Sequence, residues 1–141
     1  MNYWHFTSVN NWFSLTLPEN WSEYDDEDGT AAFFNKEKWS GNLRITAVRI
    51  TNIEADKISS FAQSKTGDDP NAILVKLGNW DTVFYSEKST DGCIVYYWTM
   101  GSSNFWFVCS FTIDDEFFDT ERNIKELDVV EEIISSIKIL N

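Results

Sequence analysis

The sequence predicts an α+β fold: a mainly antiparallel sheet of about six strands with two α-helices packed on it, as an αβα sandwich. Two observations carry this prediction. Several segments alternate apolar and polar residues, as strands with one buried face do, and two others repeat apolar residues every three to four positions, as helices packed on a sheet do. The chain has 141 residues, 43% hydrophobic and 16% aromatic. This is enough for one core, so residues 1–141 are expected to form a single domain.

The first half of the chain predicts strands followed by a helix. Residues 3–9 form a short strand or an extended arm, residues 13–17 alternate until Pro18 ends the strand, and residues 43–50 form another strand. The Asp-Gly turn dipeptide at 28–29 leads into the apolar run 31–34. A helix is expected from Asn52, a plausible N-cap, up to Gly67 and Pro70. Its apolar stripe consists of Ala55, Ile58, Phe61 and Ala62.

The second half predicts strands near 73–77, 80–87, 93–100 and 105–113. With a two- or four-residue hairpin loop, Met100 lies opposite Phe105, and one face of the last two strands is wholly apolar or aromatic. The other face is mixed but too aromatic to be left open, so we expect it to be covered as well. Cys93 and Cys109 then lie on opposite faces as free thiols, whereas a three- or five-residue loop would reverse that conclusion.

A closing helix is indicated by an apolar repeat at three- and four-residue steps. Asp119 or Thr120 is expected to cap it. The stripe that faces the sheet consists of Ile124, Leu127, Val130, Ile134 and Ile137.

The charge of the chain excludes several partners. Eleven Lys and Arg against 23 Asp and Glu give a net charge of −12, which repels nucleic acids and anionic membranes alike. No stretch is long and apolar enough to span a bilayer, and no secretion signal is evident. The expected location is therefore the cytoplasm, with reduced cysteines.

The residues needed for common catalytic and cofactor motifs are absent, so we expect no enzyme, no cofactor and no metal. The six glycines are too widely spaced for a phosphate-binding loop. His5 is the one histidine, which excludes the two-histidine zinc helix and makes a catalytic triad a poor interpretation. Cys109 lies on the predicted apolar face, where a cysteine acts as a small hydrophobic residue.

Two acidic clusters are candidate sites. The first could bind a basic partner, or be a solvated turn between strands; as a calcium loop it has the wrong residues at the first and twelfth positions. It consists of Glu23, Asp25, Asp26, Glu27 and Asp28. The second precedes the closing helix, where carboxylates favour the helix N-terminus, although two of them could also form an acid/base pair. It consists of Asp114, Asp115, Glu116 and Asp119.

Two tryptophans are further partner-binding candidates. Trp39 lies in a polar loop, and exposed tryptophans are enriched in interface hot spots. Its ring could instead fold back over the sheet. Trp80, next to Gly78 and Asn79, is a candidate of the same kind.

The segment Phe13-Ser14-Leu15-Thr16-Leu17-Pro18-Glu19-Asn20-Trp21 resembles the F-x-x-x-L-P-x-x-W opening of PsbP-like domains. The similarity continues in Gly41-Asn42-Leu43-Arg44-Ile45, in the mid-chain helix and in Ile133-Ile134-Ser135-Ser136-Ile137. Within that fold the chain is most similar to an uncharacterised bacterial domain family. The better-known relatives are an extrinsic photosystem subunit and a Ran-binding nuclear-import factor, which implies a binding role by analogy. Without a targeting segment, nothing specific to photosynthesis carries over.

These observations together predict a non-enzymatic protein-interaction module, for instance an acidic immunity or adaptor protein that binds a basic partner. The alternative is a small-ligand or carbohydrate-binding domain, in which aromatic residues line a groove against the sheet. The identity of the partner and the oligomeric state stay open.

Overall fold

The computed structural model describes residues 2–24, 30–49, 71–101 and 105–140. Within these ranges the chain forms ten strands, one 3-10 turn and one α-helix. The strands are β1 (Tyr3–Thr7), β2 (Phe13–Pro18), β3 (Trp21–Tyr24), β4 (Ala31–Asn35), β5 (Gly41–Arg49), β6 (Ile73–Leu77), β7 (Trp80–Lys88), β8 (Cys93–Gly101), β9 (Phe105–Asp114) and β10 (Lys138–Ile139). The 3-10 turn is Asp115–Phe117, and the helix α1 is Glu121–Ser135.

The strands form two antiparallel sheets. The larger sheet has seven strands in the order β3-β4-β5-β9-β8-β7-β6, and the smaller one has three in the order β1-β2-β10. Strand β10 pairs with β2, with Lys138 opposite Ser14 and Ile139 opposite Phe13. The last strand of the chain therefore completes a sheet that the first two strands begin.

The predicted fold class is wrong in its strand count and in its layers. The prediction was one sheet of about six strands between two helices, whereas the described residues form ten strands in two sheets with one helix. Two of the uncounted strands are short: β3 has four residues and β10 has two, too few for a clear alternation of side chains. Two more, β1 and β4, lie in segments that the sequence left as a strand or arm and as an apolar run. The helix predicted from Asn52 lies outside the described residues. The architecture is still a β-rich form of α+β.

The core lies between one face of the larger sheet and a layer made of the smaller sheet and α1. The larger sheet contributes side chains such as Trp98, Phe107 and Phe111, all fully buried. From the opposite layer, β2 contributes Phe13, Leu15 and Leu17, and α1 contributes Val130, Ile133 and Ile134. Each such side chain stabilises the fold by about 1.5–3 kcal/mol when it leaves water.

The hairpin of β8 and β9 confirms the predicted faces but not the predicted register. Met100 lies opposite Phe107, and Trp98 opposite Cys109, so the pairing of Met100 with Phe105 is wrong by two residues. A shift of two preserves the alternation of side chains. The apolar face therefore consists of the predicted residues, and the two cysteines are free and lie on opposite faces.

Helix α1 begins as the sequence predicts. The side chain of Thr120 caps it by accepting a hydrogen bond from the backbone N–H of Asn123 at 3.2 Å. Two side-chain contacts then join α1 to β8: Asn123 donates to the Tyr96 hydroxyl at 3.1 Å, and the Trp98 indole donates to Glu131 at 3.2 Å. Ile124, expected on the buried stripe, is 49% exposed.

The outer face of the larger sheet, which points away from α1, is partly covered. Val83 and Thr99 on this face are buried, while Val48 and Leu74 are exposed. The helix that the sequence predicts from Asn52, and that was expected to cover this face, lies outside the described residues. No helix in the described ranges is long and apolar enough to cross a membrane.

Candidate functional site

The loop between β4 and β5 places Trp39 at the surface. The side chain of Asn35 accepts hydrogen bonds from the backbone N–H groups of Glu37 and Lys38, each at 3.0 Å, and so holds the loop in a turn. Trp39 is 53% exposed, and its indole N–H donates to Asn42 Oδ1 at 3.1 Å. The hydrogen bond orients the ring and leaves about half of it available for contact.

Trp39 belongs to a shallow surface depression of about 280 Å³, lined by Tyr24, Phe34, Trp39 and Asn42. We call this the aromatic depression. The rings of Tyr24 and Phe34 meet edge to face at a centroid distance of 5.8 Å. All four residues belong to or flank the three strands at one end of the larger sheet, β3, β4 and β5. The sheet therefore fixes their spacing.

The first acidic cluster continues directly from this depression in the chain. Glu23 is exposed on β3 and points to the opposite face from Tyr24, because neighbouring residues of a strand alternate. Asp25, Asp26, Glu27 and Asp28 lie outside the described residues. In the sequence, Asp25 directly follows Tyr24, which lines the depression.

Trp80 occupies a different place. Its indole N–H donates to the carbonyl of Ile137 at 3.0 Å, and its ring packs edge to face on Phe107 at 5.6 Å. Trp80 therefore joins β7 to the segment after α1 on the core side of the larger sheet, away from Trp39.

The other candidates have structural roles. Asp114 accepts a hydrogen bond from the backbone N–H of Glu116 at 3.2 Å, and so caps the 3-10 turn. His5 is exposed on β1, where Nδ1 lies 3.1 Å from the Thr16 hydroxyl. Burial raises the pKa of the Cys109 thiol far above its ordinary value, which keeps it protonated and unreactive. Within the described ranges, no three His, Cys, Asp or Glu residues are grouped so that they could hold a metal ion.

A buried carboxylic acid, Glu126 of α1, is a feature that the sequence interpretation missed. It is 4% exposed. Its Oε2 accepts a hydrogen bond from the Ser40 hydroxyl at 2.5 Å, while Oε1 has no hydrogen-bond partner. Burial raises the pKa of Glu126, against the opposing effects of the Ser40 hydrogen bonds and the Arg122 charge. A sequence signal exists: Asn123 and Glu126 precede Val130 and Ile133 at three- and four-residue steps, so they share the buried side of the helix.

We expect Glu126→Gln to stabilise the protein increasingly as the pH rises. An acid whose pKa is raised by folding binds more protons in the folded state, so its contribution to stability declines above the ordinary pKa of 4.5. The amide removes that decline and can still accept the Ser40 hydrogen bond. The expected gain in unfolding free energy is about 1–3 kcal/mol near pH 8 and vanishes near pH 4. Urea unfolding at several pH values measures it.

Glu132→Gln is the control, because Glu132 is exposed on the same helix. Its effect on stability should vary little with pH. A pH-independent difference between Glu126→Gln and the wild type would contradict the expectation.

Fold and site together define a class: a β-rich α+β domain that presents an open aromatic depression at one end of its larger sheet. The chain belongs to the family described as Domain of unknown function (DUF3805), which matches residues 1–141. The predicted membership in a family of unknown function is thereby confirmed. None of the curated protein sequences matches the chain.

Solved structures with a similar fold include a protein from Bacteroides thetaiotaomicron, with a TM-score of 0.77 and 28% identity. The match covers 97% of this chain and 48% of that one, so this chain spans about half the length of that protein. A second match is LpqN, described as involved in cell envelope biogenesis of Mycobacterium tuberculosis, with a TM-score of 0.56, 15% identity and coverage of 99% and 91%.

PsbP from the cyanobacterium Synechocystis (CyanoP) is also among the matches. Its TM-score is 0.44 and its identity 12%, and the match covers 97% of this chain and 92% of that one.

Proposed function

We propose that this domain is a non-enzymatic protein-interaction module that binds a basic segment of a partner protein at the aromatic depression. The observation that carries the proposal is the exposure of Trp39, held by Asn42 beside Tyr24 and Phe34. A large aromatic side chain left half in water at an ordered position is typical of an interface hot spot.

The charge of the chain favours a basic partner. Lys and Arg side chains bind the faces of aromatic rings through cation–π contacts, and the Asp25–Asp28 run adds carboxylates directly after Tyr24. The net charge of −12 would also accelerate the encounter with a positively charged protein. An acidic immunity or adaptor protein would use a surface of this kind, and we place its action in the cytoplasm.

Replacing Trp39 with alanine should abolish capture of the partner. The immobilised domain is incubated with lysate of its native host, and retained proteins are quantified by mass spectrometry. Loss of a hot-spot side chain costs about 2 kcal/mol or more, which lowers affinity by about thirtyfold. The matched control is Phe118→Ala, because Phe118 is 55% exposed against 53% for Trp39 but lies outside the depression. Equal capture by the wild type and Trp39→Ala would refute the proposal.

A separate experiment tests whether the acidic run accelerates association with the partner. Asparagine or glutamine at Asp25, Asp26, Glu27 and Asp28 should slow association and weaken its dependence on salt. The control neutralises four exposed carboxylates elsewhere, at Glu87, Glu116, Asp128 and Glu132, and so changes the net charge equally. If both variants slow association alike, the acidic run acts only through the overall charge.

A further inference from the structure

A groove on the other side of the β4–β5 loop has the character of a small-molecule site. It lies between that loop and the first half of α1, with a volume of about 370 Å³, which falls within the range of about 300–1,000 Å³ found for ligand sites. Its lining residues are Asn35, Lys38, Glu121, Arg122, Lys125, Glu126 and Val129. None of the four residues of the aromatic depression is among them.

Positive charge is concentrated at this groove although the chain is strongly acidic. Three of the eleven Lys and Arg residues line it: Lys38, Arg122 and Lys125. Lys125 is paired with Glu121 at 3.0 Å. For Lys38 and Arg122, no carboxylate among the described residues lies within ion-pairing distance. Among the described residues, the groove therefore offers two cations outside any ion pair, although the Arg122 charge also acts on Glu126.

One residue that lines the groove has a buried polar atom that lacks a hydrogen-bond partner among the described residues. Glu126 lines the groove and is 4% exposed, yet its Oε1 has no partner while Oε2 binds Ser40. One turn earlier, Asn123 donates through its side-chain amide to Tyr96, and its Oδ1 is also without a partner. Buried polar atoms in folded proteins are nearly always satisfied. Glu126 Oε1 is an acceptor when the acid is ionised and can carry the donor O–H when it is protonated, so a group that can both donate and accept fits it.

We propose that this groove binds a small phosphomonoester that carries hydroxyl groups, with the phosphate at Lys38 and Arg122 and a hydroxyl hydrogen-bonded to Glu126 Oε1. Two cations outside any ion pair of the described residues match a phosphomonoester, which carries a charge of about −1.5 to −2 near pH 7, better than they match a monovalent carboxylate. Arginine suits phosphate because its guanidinium binds two oxygens at once.

A hydroxyl is the donor that fits Glu126. Burial raises the pKa of this acid, which disfavours the ionised form that an ammonium group would need. A hydroxyl can pair with the carboxyl group in either protonation state.

The test is an NMR titration of the 141-residue chain with inorganic phosphate, glycerol 3-phosphate, glucose 6-phosphate and glycerol. Saturable shifts are expected at the amides of residues 38–40 and 121–126, with Kd values at least about tenfold lower for the two esters than for inorganic phosphate. Glycerol, which lacks the phosphate, should leave the spectrum unchanged. The two esters distinguish a polyol phosphate from a sugar phosphate as the preferred ligand.

Two sets of variants test which side chains bind the phosphate and which side chain binds the hydroxyl. Lys38→Gln with Arg122→Gln should weaken both esters by at least about tenfold, whereas Lys76→Gln with Lys88→Gln, which removes two exposed lysines elsewhere, should not. Glu126→Leu, which removes both carboxyl oxygens, should reduce the advantage of the esters over inorganic phosphate, with the near-ultraviolet circular dichroism of the folded protein retained.

Three results would each overturn the proposal: no saturable shift with either ester up to about 10 mM, equal weakening by the two double variants, or equal affinity for the esters and inorganic phosphate. Loss of partner capture in Trp39→Ala bears only on the aromatic depression, so the two proposals can fail separately.

Discussion

Replacing Phe107 with alanine is expected to lower the free energy of unfolding by about 3–5 kcal/mol, the range for truncating a buried aromatic side chain. Phe107 lies on β9 at the centre of the larger sheet and is fully buried. Its ring packs edge to face on Phe13 of β2 at 5.4 Å and on Trp80 of β7 at 5.6 Å. The variant thus removes a contact between the two sheets and leaves a cavity.

The measurement is chemical unfolding followed by circular dichroism, with Ile124→Ala as the control. Ile124 is 49% exposed on α1, and surface changes of this kind cost about 0.5 kcal/mol or less. A loss below about 1 kcal/mol for Phe107→Ala would mean that the two sheets do not pack through this ring.

Replacing Gly41 with alanine is also expected to have a large effect. It should lower the free energy of unfolding by about 3 kcal/mol, the upper end of the range for overpacking. Gly41 begins β5 opposite Ile113 of β9. A β-carbon there would lie 2.6 Å from the carbonyl oxygen of Thr112 and 2.6 Å from Cγ2 of Ile113. The Ile113 side chain can turn aside, but the backbone oxygen belongs to a central strand and cannot move without disturbing the sheet.

Val48→Ala on the same strand is the matched control. Val48 is 47% exposed, so its replacement changes mainly the strand propensity of this position. Strand propensities differ by at most about 1 kcal/mol, so the free energy of unfolding should change by less than that. The midpoint of urea unfolding compares the two variants. Equal midpoints would show that β5 can move away from β9 at no cost. Because Gly41 follows Ser40, a shifted β5 should also weaken the Ser40–Glu126 hydrogen bond, visible as a change in the pH dependence of stability.

The candidate sites show which features a sequence can indicate. Trp39 is noticeable in the sequence because a tryptophan among lysines, glutamate and serine has no apolar neighbours to pack with, and the structure places it half in water. Trp80 has a similar local context, yet its ring packs on Phe107. The difference arises from which strand faces which layer, and that depends on distant residues. The helical spacing of Glu126 indicates its buried side, but its hydrogen bond could not be predicted, because its partner Ser40 is 86 positions away in the chain.

By itself, the sequence determined the local features whose causes are local. The alternation of side chains in β8 and β9 assigned their two faces correctly even though the register differed by two, because alternation depends on neighbouring residues and a shift of two preserves it. The N-cap of α1 by Thr120 followed from one side chain and the adjacent backbone. Membership in a family of unknown function, expected from the resemblance, is also confirmed by the match over residues 1–141.

The tertiary structure alone decided how these elements were layered. Strand β10 pairs with β2, with Lys138 opposite Ser14. The resulting small sheet and α1 together cover one face of the seven-stranded sheet, which is too wide for one helix to cover. A two-residue strand has no pattern of its own to recognise. The position of β10 depends on which apolar surface the other elements leave uncovered. That surface is a property of the whole molecule and not of the two residues in the strand.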